Sequence, residues 1–548
     1  METMINGLVV PALPLVSFLL WVYSIYQARL GITGGIGELG LVSVLPLSFF
    51  LSLSLLTVCF LTTLKVSKSQ TALFCEVMML ILSLYLSPAI IEGTPRFSST
   101  YVYYRAVDYI SQVGHTNPTL QWVHAWPAFS IVFSALVQTT ALARTPGEQV
   151  FLSLYPTLSN IAVFFPVFGF IRMVIPQERV RWIAVWLFYI ANWIDQFFFS
   201  VQSFGFFTFI LLILVAFKIM DLRGRGNSWL YVSMLLFCYL VTSHLLSALA
   251  YLATILSLFI FRRFRKPWIL ALSGLVVVTW TIYGATVLVP WAVSQVVSHA
   301  LNLEFIFYAN IAERATAGSA AHVTVAQIRI IFSALVVMFA LCGLILAWKS
   351  RKFAKMERRI LLVLLGLSSL FGLFAYGGEL FMRIFLLSVL PLVYFVCKGL
   401  NNKRFLWAVL VFLVIVAPPM HIIAQYGNEA NEYVPVSESR GTEFFKDATA
   451  RGYVIGDPYF RDLRYGESYR YFPLSDTYWT NNTLSLDRIR RGEWPTFVCL
   501  SYYTRQRHSL LIGEPQFVPE TVKNLTASTR YDKIYSNPGF EVYLERPD

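Results

Sequence analysis

Apolar stretches near the ~20 residues that a membrane-crossing helix needs recur almost without pause from Leu8 to about Ile423. Short polar or basic breaks separate them. The pattern predicts about thirteen crossing helices, near residues 8–27, 41–62, 72–91, 149–171, 182–196, 204–220, 228–243, 245–262, 267–290, 325–347, 359–377, 380–398 and 404–423. Residues 127–143 are also apolar, but a full crossing there would move the basic Arg172–Arg181 cluster to the opposite side. An interfacial or re-entrant helix is expected instead, packed against protein. Beyond residue 426 the pattern changes to alternating helix and strand signals. Ser439–Arg451 reads as a helix stopped by Gly452, with strands at Tyr453–Gly456 and Thr496–Tyr503. A hairpin is expected where Lys533–Tyr535 and Glu541–Leu544 flank Ser536-Asn537-Pro538-Gly539. The expected fold is an α-helical polytopic membrane protein over residues 1–426, followed by a small α/β domain over 427–548.

Composition agrees with the pattern. The chain is 57% hydrophobic and 13% charged, and a soluble domain carries roughly twice that charge. Met1–Gly7 has no basic stretch, so residues 8–27 read as a true helix instead of a cleaved signal. The 43 Lys and Arg outnumber the 30 Asp and Glu, but the tail is nearly balanced, so the excess lies in the membrane loops. That placement argues against a nucleic-acid partner. The basic loops are Lys65/Lys68, Arg172–Arg181, Lys218–Arg225, Arg262–Lys266, Lys349–Arg359 and Lys398–Arg404. Placing them all in the cytoplasm makes the helices alternate consistently and puts the tail outside a plasma membrane. The sequons at Asn481-Asn482-Thr483 and Asn524-Leu525-Thr526 fit that side. Five of the six cysteines sit in apolar helices, and the tail has Cys499 alone.

The outer face then holds the candidate chemistry. Its first loop, 92–126, is long and polar and carries Glu92, Arg96, Arg105 and Asp108. Ionisable residues at membrane depth are costly and mark functional sites by default, which singles out Asp195, Glu379 and Arg383. Glu379 and Arg383 are four apart and share a helix face, so they form either a structural pair or a fork for phosphate. Arg329, one turn into its helix, is a similar candidate, whereas Glu76 reads as structural. All seven histidines fall on the outer side, and the plainer reading of each is a packed or solvated residue. No acidic pair with metal-binding spacing stands in the outer loops, so a metal-independent reaction is expected.

Several short motifs, taken in order, carry a resemblance. They are Glu92 with Pro95-Arg96-Phe97 and Asp108-Tyr109-Ile110, Trp126-Pro127 before the interfacial helix, and Asn192-Trp193 with Ser200-Val201-Gln202-Ser203. Ser243-His244, Gly377-Gly378-Glu379 with Arg383, and a soluble tail ending KIYSNPGFEVYL complete the set. In this order the chain resembles the GT-C superfamily of membrane glycosyltransferases, which includes protein O-mannosyltransferases and arabinosyltransferases. It looks most like a little-characterised, largely archaeal branch.

The resemblance implies transfer of a sugar from a polyprenyl-phosphate donor to a glycan or protein acceptor on the extracytoplasmic face. It implies an inverting reaction with a carboxylate as general base and no cofactor beyond the lipid-linked donor. Asp108 ranks ahead of Glu92 as the base, and each also has a structural or solvated reading. Arg96, Arg105, Arg329, Glu379, Arg383, Asp195 and His244 would hold the substrate and its lipid phosphate. Related branches often carry an acid where this chain has Ser98-Ser99, which leaves a non-catalytic envelope scaffold open. A transporter or flippase for a lipid-linked glycan is the other alternative, although no internal repeat with paired broken helices is visible.

Overall fold

A computed structural model describes residues 2–32, 35–67, 69–120, 122–140, 146–221, 227–350, 354–372, 376–456, 469–472, 474, 478–480, 483–485 and 494–546. Helices fall across the expected ranges with shifted ends. The one expected over 182–196 stops at Ala191, which leaves Asp195 in a loop, and the one over 72–91 is two helices. The helices begin with α1 (Glu2–Gly31), α2 (Leu47–Val66), α3 (Gln70–Tyr85) and α4 (Ser87–Glu92). Next come α5 (Ser98–Val113), α6 (Ala128–Thr140), α7 (Pro146–Val174), α8 (Glu178–Ala191) and α9 (Val201–Asp221). The series continues with α10 (Asn227–Ser243), α11 (Leu245–Ile260), α12 (Pro267–Tyr283), α13 (Val289–His299) and α14 (Leu303–Phe307). The long helices α15 (Ala320–Lys349), α16 (Lys355–Ser369) and α17 (Leu380–Gly399) follow. The last membrane helix runs as α18 (Lys403–Val411), a π-turn over Phe412–Val416 and α19 (Ala417–Tyr426). Among the described residues, seven helices are long and apolar enough to cross a membrane. Several of the expected crossings are shorter apolar helices, α3, α10, α11 and α12 among them.

Polar contacts sort the loops onto two faces. On one, Gln70 donates to Glu178 and accepts from Trp182 Nε1 at 2.7 Å, Arg359 pairs with Asp221 at 2.6 Å, and Lys398 pairs with Glu357 at 2.7 Å. This is the basic face foreseen from the charge pattern. Thr63 donates to Glu76 at 2.7 Å near it. The opposite face carries the loops after α4, α8 and α19 and the C-terminal segment. The expected loop 92–126 proves structured there, since α5 fills much of it, and α13 and α14 stand between α12 and α15. The apolar segment 127–143 forms α6, which packs on α5.

The C-terminal region begins with α20 (Glu429–Glu432) and α21 (Val436–Ala448). Its strands are β1 (Gly452–Ile455), β2 (Tyr469–Phe472), β3 (Tyr478–Thr480), β4 (Thr483–Ser485) and β5 (Thr496–Ser501). After β5 come α22 (Tyr502–Gln506), a π-turn, α23 (Phe517–Ala527), β6 (Tyr531–Asn537) and β7 (Phe540–Glu545). The sheet order is β2-β1-β5-β7-β6, parallel across β2-β1-β5 and antiparallel beyond, while β3 and β4 form a separate hairpin. Successive side chains of β5 point to opposite faces. Phe497 and Cys499 meet Phe445 of α21, while Val498 and Leu500 pack with Val518 and Leu525 of α23. Burial on both faces explains why β5 reads as an unbroken apolar run. The expected helix, two strands and hairpin are all present. The sequon at Asn481-Asn482 lies outside the described residues, and Asn524 is exposed on α23.

Candidate functional site

Two loops on the face opposite the basic clusters build the site. The first leaves α4 through Gly93, whose φ of 69° is the left-handed value that glycine adopts without strain. It runs to Phe97, a non-glycine residue at φ 64°. A backbone held this way is costly and persists where surrounding contacts fix it. Those contacts are visible. Thr94 donates to the Val434 carbonyl at 2.7 Å, the Phe97 N–H donates to the Glu432 carbonyl at 3.2 Å, and the Phe97 ring packs on Phe198 at 4.6 Å.

The second loop, Asn192–Ser200, joins α8 to α9. Its three consecutive phenylalanines anchor it in different directions. Phe197 packs on Tyr85 and Phe206, Phe198 on Phe97, and Phe199 on Phe129, Phe133 and Tyr155. All three are buried, so the loop is held from within and Asp195 has a fixed place.

Arg96 joins the two loops to the segment after α19. Its Nε donates to Glu429 Oε1 at 2.7 Å, a second nitrogen bonds Glu429 Oε2, and the third pairs with Asp195. The guanidinium lies against the rings of Phe97 and Tyr426, 4.8 and 4.6 Å from their centroids. Burial works against its charge, but Asp195 and Glu429 outweigh that and hold its proton more firmly than usual. Glu92 is buried beside the same group. Burial first, then the Glu429 carboxylate, push its proton affinity well above the ordinary carboxylate value. Asp195 is pushed up by burial to about 6, with Arg96 pulling it back. Asp195 retains 10% side-chain exposure and Glu429 only 1%, but both Asp195 oxygens are buried: Oδ2 pairs with Arg96, and Oδ1 has no hydrogen-bond partner among the described residues.

A second polar group starts from the far end of the same turn. Gln202, on the first turn of α9, accepts from Arg383 Nη1 at 2.5 Å, and Arg383 Nη2 bonds Glu379 at 2.5 Å. Arg314 comes within 4.0 Å of the same Glu379. Gly378, at φ 78°, permits this approach: a Cβ there would stand 2.7 Å from the Ala309 carbonyl. Arg329 lies between the groups, donating to the Ala424 carbonyl at 2.6 Å and lying 5.4 Å from the Trp193 ring. His244 sits behind Arg383, with Nδ1 2.8 Å from Ser247 Oγ, packed against Gly205. Residues 195 and 202 thus tie a buried carboxylate and a cation to one short turn.

Glu92, Arg96, Asp195 and Arg329 come together as one cluster, with Glu379, Arg383 and His244 beside it. Arg96 has its guanidinium engaged by two carboxylates, so it braces the cluster instead of presenting a free fork. Arg105 and Asp108 belong to a different element. They sit on α5, where Asp108 accepts from Gln112 Nε2 at 2.6 Å. Asp108 is ten residues past the helix start, about 15 Å along its axis at 1.5 Å per residue. Sequence reasoning gave no role to Glu429 or Arg314, and held Gln202 only as part of the Ser200–Ser203 motif. Glu429 was visible as an acid just past the last crossing, yet the near-neutral charge of the tail concealed it. Among the described residues no three His, Cys, Asp or Glu side chains gather as a metal ligand set.

No protein-family profile matches the chain, and no curated protein matches it. Two solved structures of the Archaeoglobus fulgidus oligosaccharyltransferase are similar in shape. One is tethered to an acceptor peptide containing the NVT sequon, at TM-score 0.44 and 14% identity, covering 70% of this chain and 61% of that one. The other is a complex with zinc and sulfate, at TM-score 0.44 and 13% identity, covering 70% and 60%. The chain spans about three fifths of the length of these proteins. A likeness of that size assigns neither reaction nor substrate.

Proposed function

We propose that the chain is a multi-pass membrane glycosyltransferase of GT-C type. It moves a sugar from a polyprenyl-phosphate donor to a glycan or protein acceptor on the extracytoplasmic side. The observation that carries this reading is the turn 192–203, which fixes the buried carboxylate Asp195 at one end and braces Arg383 through Gln202 at the other. Sugar transfer from a lipid phosphate needs those two groups: a base for the acceptor and a cation for the leaving phosphate.

In the proposed step, Asp195 takes the acceptor hydroxyl proton as the acceptor oxygen bonds the anomeric carbon. The bond from that carbon to the phosphate oxygen breaks, and the electron pair leaves with the polyprenyl phosphate. Arg383, with Arg314 and Arg329 near it, offsets the charge developing there. Attack opposite the leaving group inverts the anomeric centre. Arg96 and Glu429 are positioning residues that hold Asp195, and Glu92 is a second acid of the same cluster. This reading moves the base from Asp108 to Asp195, because Asp108 stands several turns along α5. Residues 1–426 would form the membrane body and 427–548 the outer domain that supports the cluster.

The test is transfer by purified protein supplied with polyprenyl-phosphate sugars, compared with Arg383→Ala. Product formation that falls at least about tenfold in the variant supports the reading. Proteoliposomes that move lipid-linked glycan between leaflets without forming product would replace it with a flippase.

A further inference from the structure

A cavity of about 190 Å³ opens on the basic face, at the opposite end of the helices from the proposed transfer site. It lies among the C-terminal ends of α15 and α17, the start of α16 and the turn joining α7 to α8. One charged pair stands in its wall. Glu357 is 3% exposed and already accepts three hydrogen bonds, from the Ala354 N–H at 2.9 Å, Tyr394 Oη at 3.1 Å and Lys398 Nζ at 2.7 Å. Lys398 remains 31% exposed and has three N–H groups, of which Glu357 takes one. What the cavity offers a guest is therefore donors: Lys398, with the exposed amides of Gln177 and Asn401 at its edge.

The charge around the cavity has the same sign. Arg181 donates to the carbonyls of Ile175 and Pro176, both 2.7 Å away, fixing a cation behind the turn that forms one wall. The other walls are apolar at Val180 and Ala347. A ligand that matches has several acceptor oxygens, negative charge and a size beyond a single water. An ammonium group matches poorly, because Glu357 already accepts three hydrogen bonds, one of them from the ammonium of Lys398.

We propose that this cavity is a phosphate-binding site on the cytoplasmic side, taking the phosphate of an inner-leaflet lipid headgroup or a soluble phosphate. Lys398 is its charged contact, and Glu357 and Tyr394 orient Lys398. The site is independent of the transfer chemistry and stands if that reading fails.

The full-length protein in detergent would be titrated with dioleoyl phosphatidic acid, with dioleoylglycerol as the phosphate-free control, and separately with inorganic phosphate. Saturable binding of phosphatidic acid but not of the diacylglycerol, weakened at least tenfold in Lys398→Met, identifies a lipid source. Binding of inorganic phosphate with the same dependence identifies a soluble source. Asn401→Leu, at an exposed position, serves if Lys398→Met does not fold, and a threefold or greater loss is expected of it. The proposal is overturned if neither phosphate probe binds, or if binding is unchanged in the variants that fold.

Discussion

Arg96 ties this cluster together, because its three nitrogens engage two carboxylates and its guanidinium lies against two aromatic rings. Removing one partner from a buried ion pair leaves an uncompensated charge and costs about 3–5 kcal/mol. Arg96→Ala leaves Asp195 and Glu429 facing each other, so a markedly lower melting temperature in detergent is expected. Arg96→Lys should restore little, since an ammonium cannot bond a carboxylate through two parallel donors. Thermal unfolding of the two variants beside the parent measures both. Asp195 adds a pH signature. Its folded-state value of about 6 lies above the ordinary 3.8, so the folded state holds the proton more tightly. The stability from this group is therefore full below about 3.8 and is lost as pH rises through about 6. Activity should run the other way, rising through about 6 as the carboxylate becomes free to accept a proton. A pH–rate profile measured with saturating donor checks the sign.

At the scale of elements, the glycine at 40 shows how tightly the loops beside the Arg96 cluster are stacked. It stands at φ 56°, and a Cβ there would lie 2.4 Å from the Glu429 N–H nitrogen and 2.5 Å from the Tyr426 carbonyl. Gly40→Ala must displace the start of α20 and with it Glu429. A loss of about 1–3 kcal/mol is expected, with reduced transfer, while Gly35→Ala, with open space around it, should cost only its positive-φ strain. Comparing the two separates crowding from backbone strain. The helices themselves were legible because apolar runs have the length of a bilayer and basic loops mark one face. Helix α5 was legible only as an amphipathic stretch of a polar loop, since three tyrosines, Tyr101, Tyr103 and Tyr104, share its buried side with Val102, Ala106, Val107 and Ile110. The pairing of Arg96 with Glu429 joins residues 333 apart, and no local pattern encodes it. Asp195 was picked out by its depth in an apolar stretch. Its place beside Arg96, with both oxygens buried, needed the geometry of the phenylalanine anchors.

For the whole molecule, the two faces divide the work. The basic face is closed by Arg359–Asp221 and Lys398–Glu357, and the other by the Arg96 cluster, with the C-terminal sheet domain above it. The tail docks there also through the Ser319 N–H, which donates to the Leu510 carbonyl at 2.8 Å. Single cysteines at exposed Asn524 and Lys355 should react with a membrane-impermeant maleimide from opposite sides of intact cells, Asn524→Cys from outside. Labelling of both from the same side would contradict the proposed arrangement. The most direct measurement for the account as a whole is the initial rate of sugar transfer from a polyprenyl-phosphate donor by parent, Asp195→Asn and Asp108→Asn proteins. A loss of about 10²–10⁴-fold in Asp195→Asn, the usual worth of a general base, with Asp108→Asn close to the parent, is the predicted result. A parent-like rate in folded Asp195→Asn protein, or collapse in Asp108→Asn alone, would contradict it.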